Sequence, residues 1–131
     1  MKYLLDVNAL IALGHTSHIH HMRMIQWYQS ILGEETSLHT CSICELGFVR
    51  VSVQAGLQSD VASSRTALAQ LKASSKILFT LLSDDLGADC LPAYAKVPNK
   101  LTDGHLLELA RHHGAKLATL DTGIPGALLI P

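Results

Sequence analysis

The sequence predicts an α/β domain built on a parallel sheet with helices on both faces. Three observations carry that prediction. Short apolar runs alternate with longer segments of helical periodicity, which is the pattern of strand–helix–strand units. The chain has 131 residues, the length of one domain spanning 1–131. Hydrophobic residues make up 48% and charged residues only 16%, a balance that sustains a core and excludes a disordered chain.

Each element has its own signal. Lys2-Tyr3-Leu4-Leu5 reads as a strand stopped at Asp6, and Ala9 to Leu13 as a short helix. His18 to Leu32 carries Met22, Ile25, Trp27, Tyr28, Ile31 and Leu32 at helical spacing, with Gly33 suited to its end. Ser37 to Thr40 is a second strand. Ser42 then caps a helix from Ile43 to about Gln54, with Glu45 three residues on as in a capping box. Ser59 caps a helix to about Ala73 whose stripe is Val61, Ala62, Leu68 and Leu71. Ile77 to Leu82 is a third strand. A helix is expected from Asp85 to Lys96 despite Pro92, followed by a loop at Val97 to Lys100. Thr102 caps a helix from Asp103 to His113, ended by Gly114. Lys116 to Leu120 and Ala127 to Ile130 are the fourth and fifth strands.

The formal net charge of −1 excludes a nucleic-acid binder of strongly basic bulk charge. The three cysteines are an odd number, and the N-terminus meets Asp6 before an export signal's apolar stretch develops. No run approaches the length of a membrane span. A reducing cytoplasm with free thiols is the expected setting.

In open parallel sheets the ligand site lies beyond the carboxyl ends of the strands, where strand order reverses. Asp6 ends the first strand, Glu45 follows the second, Asp103 opens the helix before the fourth, and Asp121 ends the fourth. Taken singly, each is an ordinary helix-start or turn acid. Gathered at one edge they would repel one another, a problem that a divalent cation resolves. All-oxygen donors select Mg²⁺ or Mn²⁺, and such an ion can polarise a phosphodiester and acidify water.

The stretches Leu4-Leu5-Asp6-Val7-Asn8-Ala9-Leu10-Ile11, Cys44-Glu45-Leu46-Gly47-Phe48-Val49-Arg50, Leu101-Thr102-Asp103-Gly104-His105-Leu106-Leu107 and Leu117-Ala118-Thr119-Leu120-Asp121 occur in that order. Together they resemble the signature blocks of PIN domains, most closely those of VapC-like toxins of bacterial toxin–antitoxin pairs. The resemblance implies a three-layer α/β/α fold with a five-stranded parallel sheet. It further implies an endoribonuclease dependent on Mg²⁺ or Mn²⁺, a homodimer, and a cognate antitoxin that docks in a groove. Carried over by position, Asp6, Glu45, Asp103 and Asp121 are the metal-binding acids, while Asn8 and Thr102 match the accompanying polar positions. A PIN scaffold kept as a non-catalytic binding module and a nonspecific DNA nuclease are the rival readings.

Four histidines, His15, His18, His20 and His21, crowd the segment after the first strand. His18 and His21 share a helical face and are candidate substrate contacts, with a structural or solvated role as the alternative. Arg50 and Lys100 are candidate phosphate contacts, being close in sequence to Glu45 and Asp103. Cys41 and Cys44 form C-x-x-C at a helix start, read as small semi-buried residues rather than a redox pair. Setting the four acids aside leaves seven acids against 10 Lys+Arg, so the mean charge conceals an acidic pocket in a mildly basic body.

Overall fold

The computed structural model describes residues 1–33 and 35–131. Tyr3, Leu4 and Leu5 are all buried, and burial on both faces makes β1 (Lys2–Leu5) a central strand. It pairs in parallel with β2 (Ser37–Thr40) on one side and β4 (Lys116–Thr119) on the other. β3 (Phe79–Leu81) extends the sheet beyond β2, and β5 (Leu128–Leu129) extends it beyond β4. The order is therefore β3-β2-β1-β4-β5, all parallel. The chain moves outward from β1 to β3, then returns across the sheet to β4. Right-handed crossovers place α1 (Val7–Gly14), α2 (His21–Ser30), α3 (Ser42–Gln54) and α4 (Val61–Ser74) on one face. They place α5 (Leu101–His112) on the other, giving the expected three layers.

α1 is hydrophobic nearly all round, and Ala9 through Leu13 are buried between the sheet and its neighbouring helices. Its contact with α3 is close because residue 47 is glycine. A Cβ there would lie 2.7 Å from Val7 Cγ2. Phe48 fills the space beneath Gly14, and Leu10, Leu106, Leu109 and Leu117 complete the centre of the core. Among the described residues no helix is long and apolar enough to cross a membrane.

Several boundaries differ from the sequence expectation. The segment from Asp85 to Lys96 is not a helix; it contains one 3₁₀ turn, Ala88–Cys90, and irregular chain. Pro92 lacks the N–H a helix needs, and the segment packs instead on α5. A Cβ at Gly104 would fall 2.8 Å from Ala95 Cβ and 3.2 Å from Pro92 Cδ. The second helix begins at His21 rather than His18, and Met22 is exposed while Met24 is buried. Ser59 is replaced as cap by Asp60, whose side chain forms a reciprocal capping box with Ser63. Ser42 and Thr102 are not caps either. Their helices start one and two residues earlier than expected, after Cys41 and Lys100, without side-chain cap bonds.

Candidate active site

β1 and β4 are neighbours although their sequence separation is large, and the chain leaves them toward opposite sides of the sheet. That is the switch point, and it brings Asp6 and Asp121 to one edge. Asp6 is the N-cap of α1. Its Oδ1 accepts the Ala9 N–H at 2.8 Å, and its Oδ2 accepts a hydrogen bond from Thr119 Oγ1 at 2.5 Å. The same threonine oxygen accepts the Asp121 N–H at 3.0 Å. One hydroxyl at the end of β4 thus ties both strand-ending aspartates together.

Asp6 is only 3% exposed. Burial pushes its carboxyl up to about 6, and the charges of Asp121 and Asp103 push in the same direction, against the Thr119 and Ala9 hydrogen bonds. Asp103, in the first turn of α5, is also raised, first by burial and then by Asp121. Lys100 opposes that rise, and its Nζ lies 4.0 Å from where a Cβ would stand on Gly123. Three aspartates and one lysine therefore share the edge at the ends of β1 and β4. The negative charge exceeds the positive.

Glu45 stands apart from this trio in its bonding. It sits in the first turn of α3 and accepts hydrogen bonds from Thr40 Oγ1 and from Lys72 Nζ, the latter at 2.5 Å. Both donors reach the same oxygen, Oε2. Among the described residues no three His, Cys, Asp or Glu side chains stand close enough together to ligate one ion. The donor set at the β1–β4 edge nevertheless matches a hard divalent cation in chemistry: it is all carboxylate, mutually repelling and undercompensated.

The accompanying positions divide. Asn8 lies exposed in the first turn of α1, and Thr102 is exposed in the first turn of α5. The histidines mostly build the α1–α2 connection. His15 is buried, stacks on Phe48 and donates from Nδ1 to the Ile11 carbonyl at 2.8 Å. His21 donates from Nδ1 to the Ala12 carbonyl at 2.8 Å, and His18 Nδ1 accepts the His20 N–H. Burial and the neighbouring histidines lower the pKa of His18, which favours its neutral form. His105 is bound to Asp84 at 2.5 Å. Arg50 is exposed and lines a groove of about 860 Å³ between α3 and α4, with Glu45, Leu46, Val49, Arg65 and Lys72 among its walls.

Three participants escaped the sequence reading. Thr119 carried a weak signal, a strand hydroxyl two residues before Asp121. Thr40 and Lys72 carried none, because their relation to Glu45 exists only once α3 packs on β2 and α4.

Comparison with known proteins shows the family and the fold. The PIN domain family model matches residues 3–126. Ribonuclease VapC38 of Mycobacterium tuberculosis is 39% identical over 126 residues, covering 92% of this chain and 86% of that protein. Ribonuclease VapC29 of the same species is 32% identical over 137 residues, covering 100% and 98%. The crystal structure of Mycobacterium tuberculosis VapC20, titled a Sarcin-Ricin loop cleaving toxin, superposes with a TM-score of 0.68 over 98% of both chains at 12% identity. With the family-model match, its five-stranded parallel sheet and these relatives, the chain belongs to the PIN domain family and is VapC-like.

Proposed function

We propose that this protein is an endoribonuclease toxin that uses Mg²⁺ or Mn²⁺, with Asp6, Glu45, Asp103 and Asp121 as the acidic residues of the metal site. The observation that carries the reading is the convergence of acids at the β1–β4 edge, where Thr119 ties buried Asp6 to Asp121 and Asp103 opens the neighbouring helix. A family shared with relatives named ribonucleases supports RNA as the substrate.

A divalent ion held by these acids supplies Lewis acidity toward the scissile phosphodiester and lowers the pKa of water. The protein's own contribution is positional. Asp6 is locked by Ala9 and Thr119, so it presents one orientation to the site. Lys100, beside Asp103 and the turn after Asp121, supplies a positive charge for a neighbouring phosphate. Arg50 offers a second contact along the α3 face, while Asn8 is exposed on the turn that follows Asp6. His18 and His21 lie within the α1–α2 connection, where the neutral form of His18 suits stacking or hydrogen bonding better than ion pairing with phosphate. Glu45 is the fourth acid of the quartet, and Thr40 and Lys72 hold its orientation.

The reading carries a cognate antitoxin, a homodimer and a cytoplasmic setting with it. The test is incubation of purified protein with structured RNA, single-stranded DNA and duplex DNA, each with Mg²⁺, Mn²⁺ or chelator. Cleavage of RNA alone, dependent on metal, is the expected result. Metal-dependent cleavage of DNA would favour a general nuclease, and no cleavage with retained partner binding would favour a binding module.

A further inference from the structure

A phosphodiester strand is a polyanion, and the edge it must reach holds more carboxylate than ammonium. Few of the 10 Lys+Arg can offset this. Among the described residues Lys72 is paired with Glu45, and Arg111 with Glu108. Arg23 donates to the carbonyls of Ile130 and Pro131. Lys2 and Lys116 start β1 and β4, and Lys76 precedes β3, so these three stand at the end of the sheet opposite the acids. Arg50 and Arg65 line the α3–α4 groove. Lys96 and Lys100 are left, both exposed and neither in an ion pair among the described residues.

Residues 92–100 carry these two lysines and no acid. The segment is seated on Gly104, the neighbour of Asp103, where a Cβ would fall 2.8 Å from Ala95 Cβ. The Ala95 N–H donates to the Pro92 carbonyl at 3.1 Å, and the Lys96 N–H to the Tyr94 carbonyl at 2.9 Å, which folds the chain into two successive turns. Pro92 and Pro98 restrict it further, and the 3₁₀ turn Pro98–Lys100 leads directly into α5. The segment also lies in the field of the acids. Burial, and after it the charge of Asp103, raise the Tyr94 hydroxyl, while Lys100 counters the rise at Asp103. A strap held this way has little ordering left to do when a ligand arrives.

We propose that residues 92–100 form a preorganised strap that grips RNA beside the scissile phosphate, with Lys96 and Lys100 each contacting one backbone phosphate. The inference rests on the RNA reading above, and adds to it Lys96 and a path for the strand. RNA leaves the acids across the N-terminal end of α5, where the strap lies. The two lysines supply affinity and register, and the acids supply the chemistry.

The test is fluorescence anisotropy of a labelled single-stranded RNA of mixed sequence, in chelator so that nothing is cut, over a series of KCl concentrations starting from low salt. Wild type is compared with Lys96→Ala, Lys100→Ala, the Lys96→Ala/Lys100→Ala double variant, and Lys116→Ala from the far end of the sheet. Thermal unfolding is followed in parallel, and Lys96→Gln replaces Lys96→Ala if the latter fails to fold. Each phosphate contact on a single strand contributes about 0.7 to the slope of log affinity against log salt. Lys96→Ala and Lys100→Ala should each make that slope shallower by about 0.7, and the double variant by about 1.4, with weaker binding at low salt. Lys116→Ala should keep the wild-type slope. An unchanged slope in the double variant overturns the proposal, and so does an equal change in Lys116→Ala, which would mark diffuse charge instead of a strap. Wild type that binds no RNA at low salt contradicts the RNA reading itself and removes the role of the strap with it.

Discussion

Thr119 Oγ1 donates to Asp6 Oδ2 across the β4–β1 boundary at 2.5 Å, within a pocket where Asp6 is 3% exposed. This single hydroxyl stabilises a carboxylate that burial otherwise disfavours, and it also receives the Asp121 N–H. Hydrogen bonds to charged groups contribute about 1.5–3 kcal/mol. Thr119→Val keeps the shape and removes both bonds, so stability at neutral pH should fall by about that amount. The Asp6 carboxyl should titrate at still higher pH, and Thr119→Ser should restore both properties. Urea unfolding and a carboxylate titration by NMR check this.

The raised Asp6 carboxyl has a consequence for the metal-free protein. Its folded value, about 6, lies above the ordinary 3.8, so the folded state binds this proton more tightly. The resulting stabilisation is fully present below pH 3.8 and is lost as pH rises through about 6. A shift of this size corresponds to about 3 kcal/mol at most. In chelator, Asp6→Asn should be more stable than wild type at pH 7.5, with the difference shrinking toward pH 5. Equal stability of the two proteins at pH 7.5 would contradict the buried, charge-repelled carboxylate.

Gly47 is where α1 and α3 touch, with Val7 Cγ2 2.7 Å from the place of a Cβ. Alanine is the better helix former by about 1 kcal/mol. The overlap with the branched side chain should outweigh that gain, and Gly47→Ala should destabilise the fold by about 1–2 kcal/mol net. Shortening the obstacle in Val7→Ala/Gly47→Ala should recover part of the loss, and thermal unfolding of the three variants measures it.

The cysteines should separate by accessibility. Cys41 and Cys44 are buried with their sulfurs 3.5 Å apart, whereas Cys90 is exposed on a 3₁₀ turn. Iodoacetamide should label Cys90 alone in the folded protein and all three in urea, as read by peptide mass spectrometry. Equal labelling of Cys41 in the native state would contradict its burial.

The reach of the sequence can be judged from these residues. Strands were legible because their apolar runs are short and end at Asp6, Thr40 and Asp121, and the alternation with helices imposes parallel pairing. The gathering of Asp6, Asp103 and Asp121 followed from that topology. Helix starts were displaced by one or two residues because Cys41 and Lys100 lead into their helices without a side-chain cap, a geometry without a cap signature. The segment around Pro92 was misread as helical because its packing on Gly104 is a tertiary contact. Glu45 was read as one more member of a quartet. Its partner Lys72 lies 27 residues away on another helix, and no local pattern announces it.

The most direct test of the account is RNA cleavage by Asp103→Asn, alongside Asp6→Asn, in Mg²⁺, in Mn²⁺ and in chelator. Asp103 is suited to this because it caps no helix in the structure, so its charge can be removed with little effect on the fold. The account predicts that wild type cleaves RNA only with metal. It also predicts that Asp103→Asn, with unchanged circular dichroism and melting, loses cleavage by at least about a hundredfold. Undiminished cleavage by that variant, or wild-type cleavage in chelator, would contradict it.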